Sequence, residues 1–424
     1  MKKLVIIALF PVVSYGMSID EAVEKAVNNN LSLKQYRLNI KKAEYQIKED
    51  FNLFMPELFT NFRFTTMKDT PYQNLPAGIL RFPFSFKQTE KDIRYFDLGI
   101  NYYLFTGFSR FEKLKISKYE KKASKEFYFE ELNKIKTEVK KAYIDVLMAS
   151  SVVHIYKKQL EAVEKHLYRV KEFYKQGLVA KIDILQTRVK LSQIKRDLRK
   201  AEGDLKVAKA RLKNLINESM DTDFQPEPLS LEIPENLNLP ELYKKALINR
   251  HLIKAVDIKS KQLKKVEKIE LSEFYPKIYA QAKYFYTNEY PYLDPKENYA
   301  LTVGITWQFQ SLKPYYSFLK QRIEHRKTRL KLEQIKNDIK LQVKASYERF
   351  LTAKENLKVA QDSLSEAEEY YRLTVEQFKN QLASTTDVLD AESMLTSAKK
   401  GREISYYQLL KAYFDLQEAV GGGI

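Results

Sequence analysis

The sequence contains an internal duplication, and this repeat constrains the possible folds more than any other feature. Residues 26–66 align without a gap with residues 246–286, at an offset of 220. Further along the chain the offset becomes 204. The matches at this second offset include two tyrosines and two aspartates, Tyr143 with Tyr347 and Asp183 with Asp387. Two similar structural repeats are therefore predicted, over 17–220 and 241–424. Between them, residues 221–240 contain four prolines and are predicted to be a linker.

Each repeat is predicted to contain an opening helix, two strands, a long helix and a return helix. In the first repeat these are a helix from Ile19 to Leu53, strands at about 57–66 and 96–105, a long helix over 108–175 and a return helix over 182–217. In the second they are an opening helix, strands at about 277–287 and 299–310, a long helix over 312–378 and a return helix over 387–419. Apolar residues recur along the long helices at the three- and four-residue spacing of a coiled coil.

The predicted strands alternate between apolar and polar residues and are about ten residues long, the length of a tilted transmembrane strand. Four strands cannot close a barrel, since about eight are needed, and open edges are not tolerated in lipid. If these strands lie in a membrane, several copies must contribute to one barrel; two copies would give eight strands and three would give twelve. The alternative is a water-exposed hairpin that packs on its own helices.

The first 16 residues are predicted to be a secretory signal peptide. Two lysines precede an apolar run from Leu4 to Val13, and small residues, Ser14 and Gly16, lie at the −3 and −1 positions. No later stretch is apolar enough for a transmembrane helix. These features predict an exported protein.

Composition excludes several classes of function. The net charge is +18, but Lys and Arg are mixed with Asp and Glu rather than gathered into blocks, which argues against nucleic-acid binding. The chain has no cysteine, which excludes disulfides, thiolate metal sites and an acylated lipoprotein cysteine. The four histidines lack metal-ligand spacing, and no catalytic triad or glycine-rich nucleotide loop is present. Neither an enzyme nor a cofactor is predicted.

Two turn motifs carry a family resemblance. Residues 177–183 have the sequence Gly-Leu-Val-Ala-Lys-Ile-Asp, and residues 386–391 have the sequence Thr-Asp-Val-Leu-Asp-Ala. Together with the duplicated helix–hairpin–helix order, these motifs make the chain similar to the TolC-like outer-membrane efflux protein (outer-membrane factor) family, over essentially the whole chain after the signal peptide.

The resemblance implies a mostly α fold with a membrane β-barrel part. Long coiled-coil hairpins would form an α-barrel, and four strands per chain would form a 12-stranded barrel in a homotrimer. It implies a location in the cell outer membrane, in contact with lipid, with extension into the periplasm. It also implies a passive exit duct of a tripartite efflux or type I secretion system. The partners would be a periplasmic adaptor (membrane fusion) protein and an inner-membrane pump, and the cargo is left open.

The resemblance also marks residues at the two turns. Asp183, Asp387 and Asp390 would form carboxylate rings at a pore constriction, although an Asp in the first helical turn is also favoured as a cap. Phe378 stands where the family often has tyrosine, so closure is predicted to depend on packing of Phe378 and Ile182 rather than on a polar lock. Gly177 and Leu178 resemble the adaptor-contact turn; a plain helix C-terminus is the alternative.

A second function remains open from the sequence alone, namely a periplasmic coiled-coil scaffold or adaptor without a pore. It explains the heptads, but it leaves the four alternating aromatic segments without a role. Signal cleavage and detergent-dependent solubility separate it from a channel.

Overall fold

The computed structural model describes residues 15–78, 82–234, 236–308 and 311–423. Most of the predicted signal peptide, and the last two residues of the predicted strand 299–310, lie outside these ranges. The prediction of a mostly helical chain with a few strands is confirmed. The contacts divide the described residues into two compact units. One unit contains those of Met1–Leu38, Glu126–Lys254 and Glu333–Ile424, and the other contains those of Asn39–Lys125 and Ala255–Leu332.

Each copy contains a short strand, two helices, two long strands and two further helices, and the first copy has two additional strands between its long strands. The helices are α1 (Ile19–Asn29), α2 (Leu31–Asn52), α3 (Ser109–Lys175), α4 (Lys181–Ile216), α5 (Leu239–Asn249), α6 (His251–Ser272), α7 (Lys313–Lys379) and α8 (Thr385–Val420). The strands are β1 (Tyr15–Met17), β2 (Glu57–Thr66), β3 (Tyr72–Leu75), β4 (Phe84–Lys87), β5 (Asp92–Thr106), β6 (Phe224–Pro226), β7 (Lys277–Thr287) and β8 (Glu297–Thr306). Among the helices of the described ranges, none is long and apolar enough to cross a membrane.

The second unit contains an antiparallel four-stranded sheet in the order β2-β5-β7-β8. Side chains alternate between its two faces. One face is apolar, and the side chains on it are exposed, among them Leu58, Phe62, Leu98, Tyr284, Leu301 and Val303. The described residues therefore leave uncovered an apolar surface of the kind that marks a contact with lipid or protein.

The opposite face of the same sheet is polar and closely packed. Asp97 accepts hydrogen bonds from the backbone N–H of Asn61 (3.0 Å), from Asn61 Nδ2 (2.7 Å) and from the hydroxyl of Tyr95 (2.8 Å). Glycine faces an aromatic ring at two registered pairs, Phe59 with Gly99 and Tyr279 with Gly304. A Cβ at either glycine would lie 2.5 Å from the ring, so only glycine allows these rings to lie against the sheet.

A small hairpin, β3–β4, lies within the longer loop of the first copy, and the sequence did not predict it. Its rings pack on one another and on the corresponding loop of the second copy. Phe84 and Phe86 are stacked with centroids 6.1 Å apart, and Phe86 lies 6.5 Å from Tyr292.

Each predicted opening helix is interrupted at one residue. Asn30 separates α1 from α2, with ψ of 130°, and its side chain accepts from the backbone N–H groups of Ser32 (2.9 Å) and Leu33 (3.2 Å). Its Nδ2 donates to Leu215 O at 2.8 Å. The single predicted helix from Ile19 to Leu53 is therefore two helices, because this asparagine ends one and caps the next.

The second copy has its break at the equivalent residue, Arg250, which satisfies the backbone differently. Arg250 is buried and pairs with Glu130 (Nη2 to Oε1, 2.7 Å). Its Nη1 also donates to Gln342 Oε1 (2.9 Å) and Ala419 O (3.2 Å). The guanidinium of Arg250 thus connects this break to α3, α7 and the end of α8. The side chain of Asn30 is too short to make such connections.

The linker is held by two tyrosines that the repeat places in equivalent positions. β6 lies within it and pairs in parallel with β1. The fully buried Tyr143 places its hydroxyl 2.6 Å from Met17 O and 2.9 Å from Glu227 O, and donates to these carbonyls. Burial raises the pKa of Tyr143 to about 12. Tyr347 donates to Leu237 O at 3.2 Å.

We expect Tyr143→Phe to lower the free energy of unfolding by about 1–2 kcal/mol, because the buried Met17 O and the partly buried Glu227 O lose a donor. Met17 O still accepts a hydrogen bond from the N–H of Glu227 at 3.1 Å, which limits the loss of stability. Tyr347→Phe is the matched control and should cost less, since that hydroxyl makes one longer bond at a half-buried position. Thermal unfolding by circular dichroism measures both. Equal losses would contradict the assignment of Tyr143 as the main anchor.

Candidate functional site

The candidate site is built from the two turns that join α3 to α4 and α7 to α8. In each turn one residue adopts a left-handed conformation, Gly177 with φ of 73° and Gln381 with φ of 62°. The following N–H then donates back into the preceding helix, Leu178 to Phe173 O (2.9 Å) and Leu382 to Gln377 O (2.8 Å). The two turns have the same hydrogen-bonding geometry, although only the first has the glycine that this conformation favours.

Two of the predicted acids are helix caps. Asp387 accepts from the backbone N–H of Ser384 (2.8 Å) and from its hydroxyl (2.7 Å), and Ser384 Oγ accepts from the N–H of Asp387 (3.2 Å). These bonds to Ser384 lower the pKa of Asp387. Asp183 accepts from the N–H of Ala180 at 2.9 Å. The capping role considered from the sequence is therefore present, and the Asp387 carboxylate also remains exposed.

The third acid, Asp390, lies one helical turn after Asp387 and is exposed. The two turns are in direct contact, because Thr386 Oγ1 lies 3.4 Å from Gln186 Oε1 and donates to it. Carboxylates from both turns are thus displayed at the same end of these helices.

Phe378 and Ile182 do not share an environment. Phe378 is buried in a cluster with Val170 and Val388, and its ring centroid lies 5.6 Å from that of Phe173. Ile182 is outside this cluster and is 60% exposed. Leu178 is also exposed. Phe378 therefore holds the two hairpins of one chain together, whereas Ile182 presents an apolar side chain to the surroundings.

Two buried ionisable side chains near this end were not singled out from the sequence. Glu392 on α8 accepts from Gln159 Nε2 (2.7 Å) and from Thr396 Oγ1 (3.1 Å), and burial raises its pKa. His166 on α3 is buried with its ring 5.1 Å from that of Phe378. Neither of its ring nitrogens has a hydrogen-bond partner within the described part of the chain. The burial of Glu392 could have been predicted from the sequence, because it lies within the buried stripe of α8 between Leu389 and Thr396.

The described residues contain no group of three or more His, Asp or Glu side chains arranged to hold a metal ion. The chemistry at the turns is that of exposed carboxylates above a packed apolar cluster, which suits electrostatic attraction of cations.

Comparison with solved structures defines the class of protein. Outer membrane protein VceC from Vibrio cholerae matches with a TM-score of 0.78 and 14% identity, over 96% of this chain and 96% of VceC. The Campylobacter jejuni CmeC outer membrane channel matches with a TM-score of 0.77 and 16% identity, over 96% and 86%. The open state of the Neisseria gonorrhoeae MtrE outer membrane channel matches with a TM-score of 0.74 and 17% identity, over 96% and 89%. The chain thus has the fold of outer-membrane channels.

The sequence model of the outer membrane efflux protein family matches residues 22–218 and 242–422, so the chain belongs to that family. No curated protein sequence gave a match. The predicted family, the location in the outer membrane with extension into the periplasm, and the absence of enzymatic activity are confirmed by this membership.

We expect stability to fall in acid because of His166. Burial, and then the positive charge of Arg169, lower the pKa of His166 to about 4 from its ordinary 6.5. Between these values the unfolded chain binds a proton that the folded chain does not, so the free energy of unfolding decreases as pH falls, by up to about 3 kcal/mol. His166→Phe should remove this part of the pH dependence. The exposed His154, replaced by Gln, is the control.

The measurement is the melting temperature of wild type and variants at pH 7.5 and 4.5. Wild type and the His154 variant should lose more stability in acid than His166→Phe. Parallel losses in all three proteins would contradict the assignment.

Proposed function

We propose that this protein is the outer-membrane exit duct of a tripartite efflux or type I secretion system. The observation that carries the proposal is the four-stranded sheet, with one apolar exposed face and one polar face that is packed with Asp97 and its partners. Such two-faced strands suit a wall between lipid and water. The apolar face would contact outer-membrane lipid, and the polar face would line the lumen.

The duct would be a homotrimer. β2 and β8 are the outer strands of the sheet, and their free edges require partners if the sheet lies in lipid. Three copies joined edge to edge would give a closed 12-stranded barrel. The helical hairpins of three copies would form an α-barrel that extends through the periplasm.

Transport through this duct would be passive. Energy and cargo selection would come from an inner-membrane pump, and a periplasmic adaptor would join the pump to the hairpin turns. Gly177 and Leu178 are the proposed adaptor contact, since Leu178 is exposed at the first turn. In the second turn Gln381 and Leu382 occupy the equivalent places, so the two turns would present different side chains to the adaptor.

The periplasmic end would contain the constriction. Asp183, Asp387 and Asp390 from three copies would form rings of carboxylates around the mouth. Ile182 would contribute an exposed apolar side chain there, and Phe378 would keep the paired hairpins packed from within the chain. Opening would be a change in packing between hairpins.

A scaffold without a pore is the second candidate, and the apolar sheet face argues against it. Side chains such as Phe62, Leu301 and Val303 would have to face water in a periplasmic coiled-coil protein.

The test is planar-bilayer conductance of detergent-purified protein, with oligomer mass measured on the same sample. We expect a trimer with small, cation-preferring currents. A water-soluble monomer or dimer without conductance would contradict the proposal and favour the scaffold.

We expect Asp387→Asn with Asp390→Asn to reduce cation preference, because the ring loses six charges in a trimer. Asparagine keeps an oxygen that can accept the cap hydrogen bonds at position 387. Asp204→Asn, an exposed acid farther along α4, is the control. Unchanged ion selectivity in the double variant would remove these acids from the pore.

A further inference from the structure

The two hairpins that end at the turns carry opposite net charge. Residues 157–200 contain 13 Lys and Arg against 5 Asp and Glu, a net +8. The repeat-equivalent residues 361–404 contain 5 against 9, a net −4. Several aligned positions are reversed outright, including Lys158 with Asp362, Lys165 with Glu369 and Arg199 with Glu403. Two copies of one unit have therefore diverged toward complementary charge.

Between the two hairpins of the described chain these opposite charges form no direct ion pair, although Lys190 attracts the buried Glu392 at longer range. Each ion pair formed there joins residues of one hairpin, such as Lys165 with Glu161 (2.8 Å) and Arg372 with Glu369 (2.7 Å). Throughout the ranges that the structure describes, no ion pair joins a charge of residues 157–200 to one of residues 361–404. The hairpins of one chain instead meet through apolar clusters, Val163, Ile194 and Leu389 in one and Val170, Phe378 and Val388 in the other.

α4 carries an exposed stripe that faces away from this contact. Ile182, Leu185 and Val189 are 60%, 50% and 58% exposed and are spaced three and four residues apart. The same spacing continues to Arg196 and Arg199, which are exposed. The buried positions of α4 that recur every seven residues are Thr187, Ile194 and Ala201. Val189 and Arg196 each follow a buried position of this set by two residues. They therefore lie roughly 200° around the helix from it, on the opposite face. The stripe is a second heptad face that the described residues of its own chain do not cover.

α7 carries a matching stripe. Val359 and Leu373 are 65% and 43% exposed. Between them, at spacings of three and four residues, lie three exposed acids, Asp362, Glu366 and Glu369. This face is apolar and acidic where that of α4 is apolar and basic.

The two stripes match in level along antiparallel helices. α4 begins at Lys181 and α7 ends at Lys379, both at the turns. When the position along each helix is counted in residues from these two ends, Leu373 of α7 lies at a height between those of Leu185 and Val189 of α4. Asp362 and Glu366 fall within about two residues, or about 3 Å, of Arg199 and Arg196 respectively.

We propose that α4 of one copy packs antiparallel on α7 of the next copy, with Leu373 between Leu185 and Val189 and with Arg196 and Arg199 opposite Glu366 and Asp362. This interface rests on the proposed homotrimer. In this interface a basic hairpin of one copy lies beside an acidic hairpin of the next. Basic and acidic hairpins therefore alternate around the ring, because hairpins of like charge repel one another and those of opposite charge attract.

The test is cysteine cross-linking, which has no background because the chain contains no cysteine. Leu185→Cys with Leu373→Cys is treated with a short bismaleimide in detergent-purified protein and resolved on denaturing gels. Covalent dimers and trimers with loss of the monomer band are expected. Gln186→Cys with Leu373→Cys is the matched control and should remain monomeric, because Gln186 is one residue along and contacts Thr386 of its own chain.

A charge exchange tests the electrostatic part. Arg196→Glu with Arg199→Glu should lower the temperature at which the trimer dissociates, and adding Asp362→Lys with Glu366→Lys should restore it. A conducting trimer that shows neither cross-linking nor this rescue would overturn the interface and leave the duct intact. Protein that forms no trimer and no conducting pore would instead overturn the proposed function.

Discussion

The rest of the molecule depends on an apolar sheet face that the described part of the chain does not cover. The exposed Leu58 and Phe62 of β2 and Leu301 and Val303 of β8 belong to this face, and burying apolar surface is worth about 25 cal/mol per Å². In the described residues the side chains of this face are left exposed. The face therefore requires an apolar surrounding, and the proposed barrel would place it against outer-membrane lipid.

The two copies then stabilise equivalent helix breaks and turns with different side chains. At the helix breaks, Asn30 caps with a short amide, whereas Arg250 binds Glu130, Gln342 and Ala419 together. At the turns, Gln381 adopts a left-handed conformation that Gly177 adopts at no steric cost. Both copies end and restart their helices at equivalent residues. The side chains are free to diverge, and it is in the side chains that the two hairpins acquire opposite charge.

The sequence predicted features that depend on local periodicity. Heptads and alternation indicated a mostly helical chain with a few strands, and the turn motifs indicated the family. The helix breaks were not predicted, because neither Asn30 nor Arg250 is a proline or glycine and the apolar period continues through both. β1 and β6 were not predicted either. Each has only three residues, too few to show an alternating pattern, and their pairing joins distant parts of the chain.

The same distinction explains which parts of the candidate site sequence reasoning reached. The Asp387 cap requires only a serine three residues before it, which the sequence displays. The burial of Phe378, His166 and Glu392 depends on which helices meet, and each of these positions is also compatible with an exposed side chain. A cap and a pore acid are not alternatives at Asp387. The cap orients the carboxylate, the bonds to Ser384 favour its charged form, and its exposure leaves that charge available to ions. A residue in the first turn of α8 thereby holds a fixed negative charge at this end of the helices without a separate supporting structure.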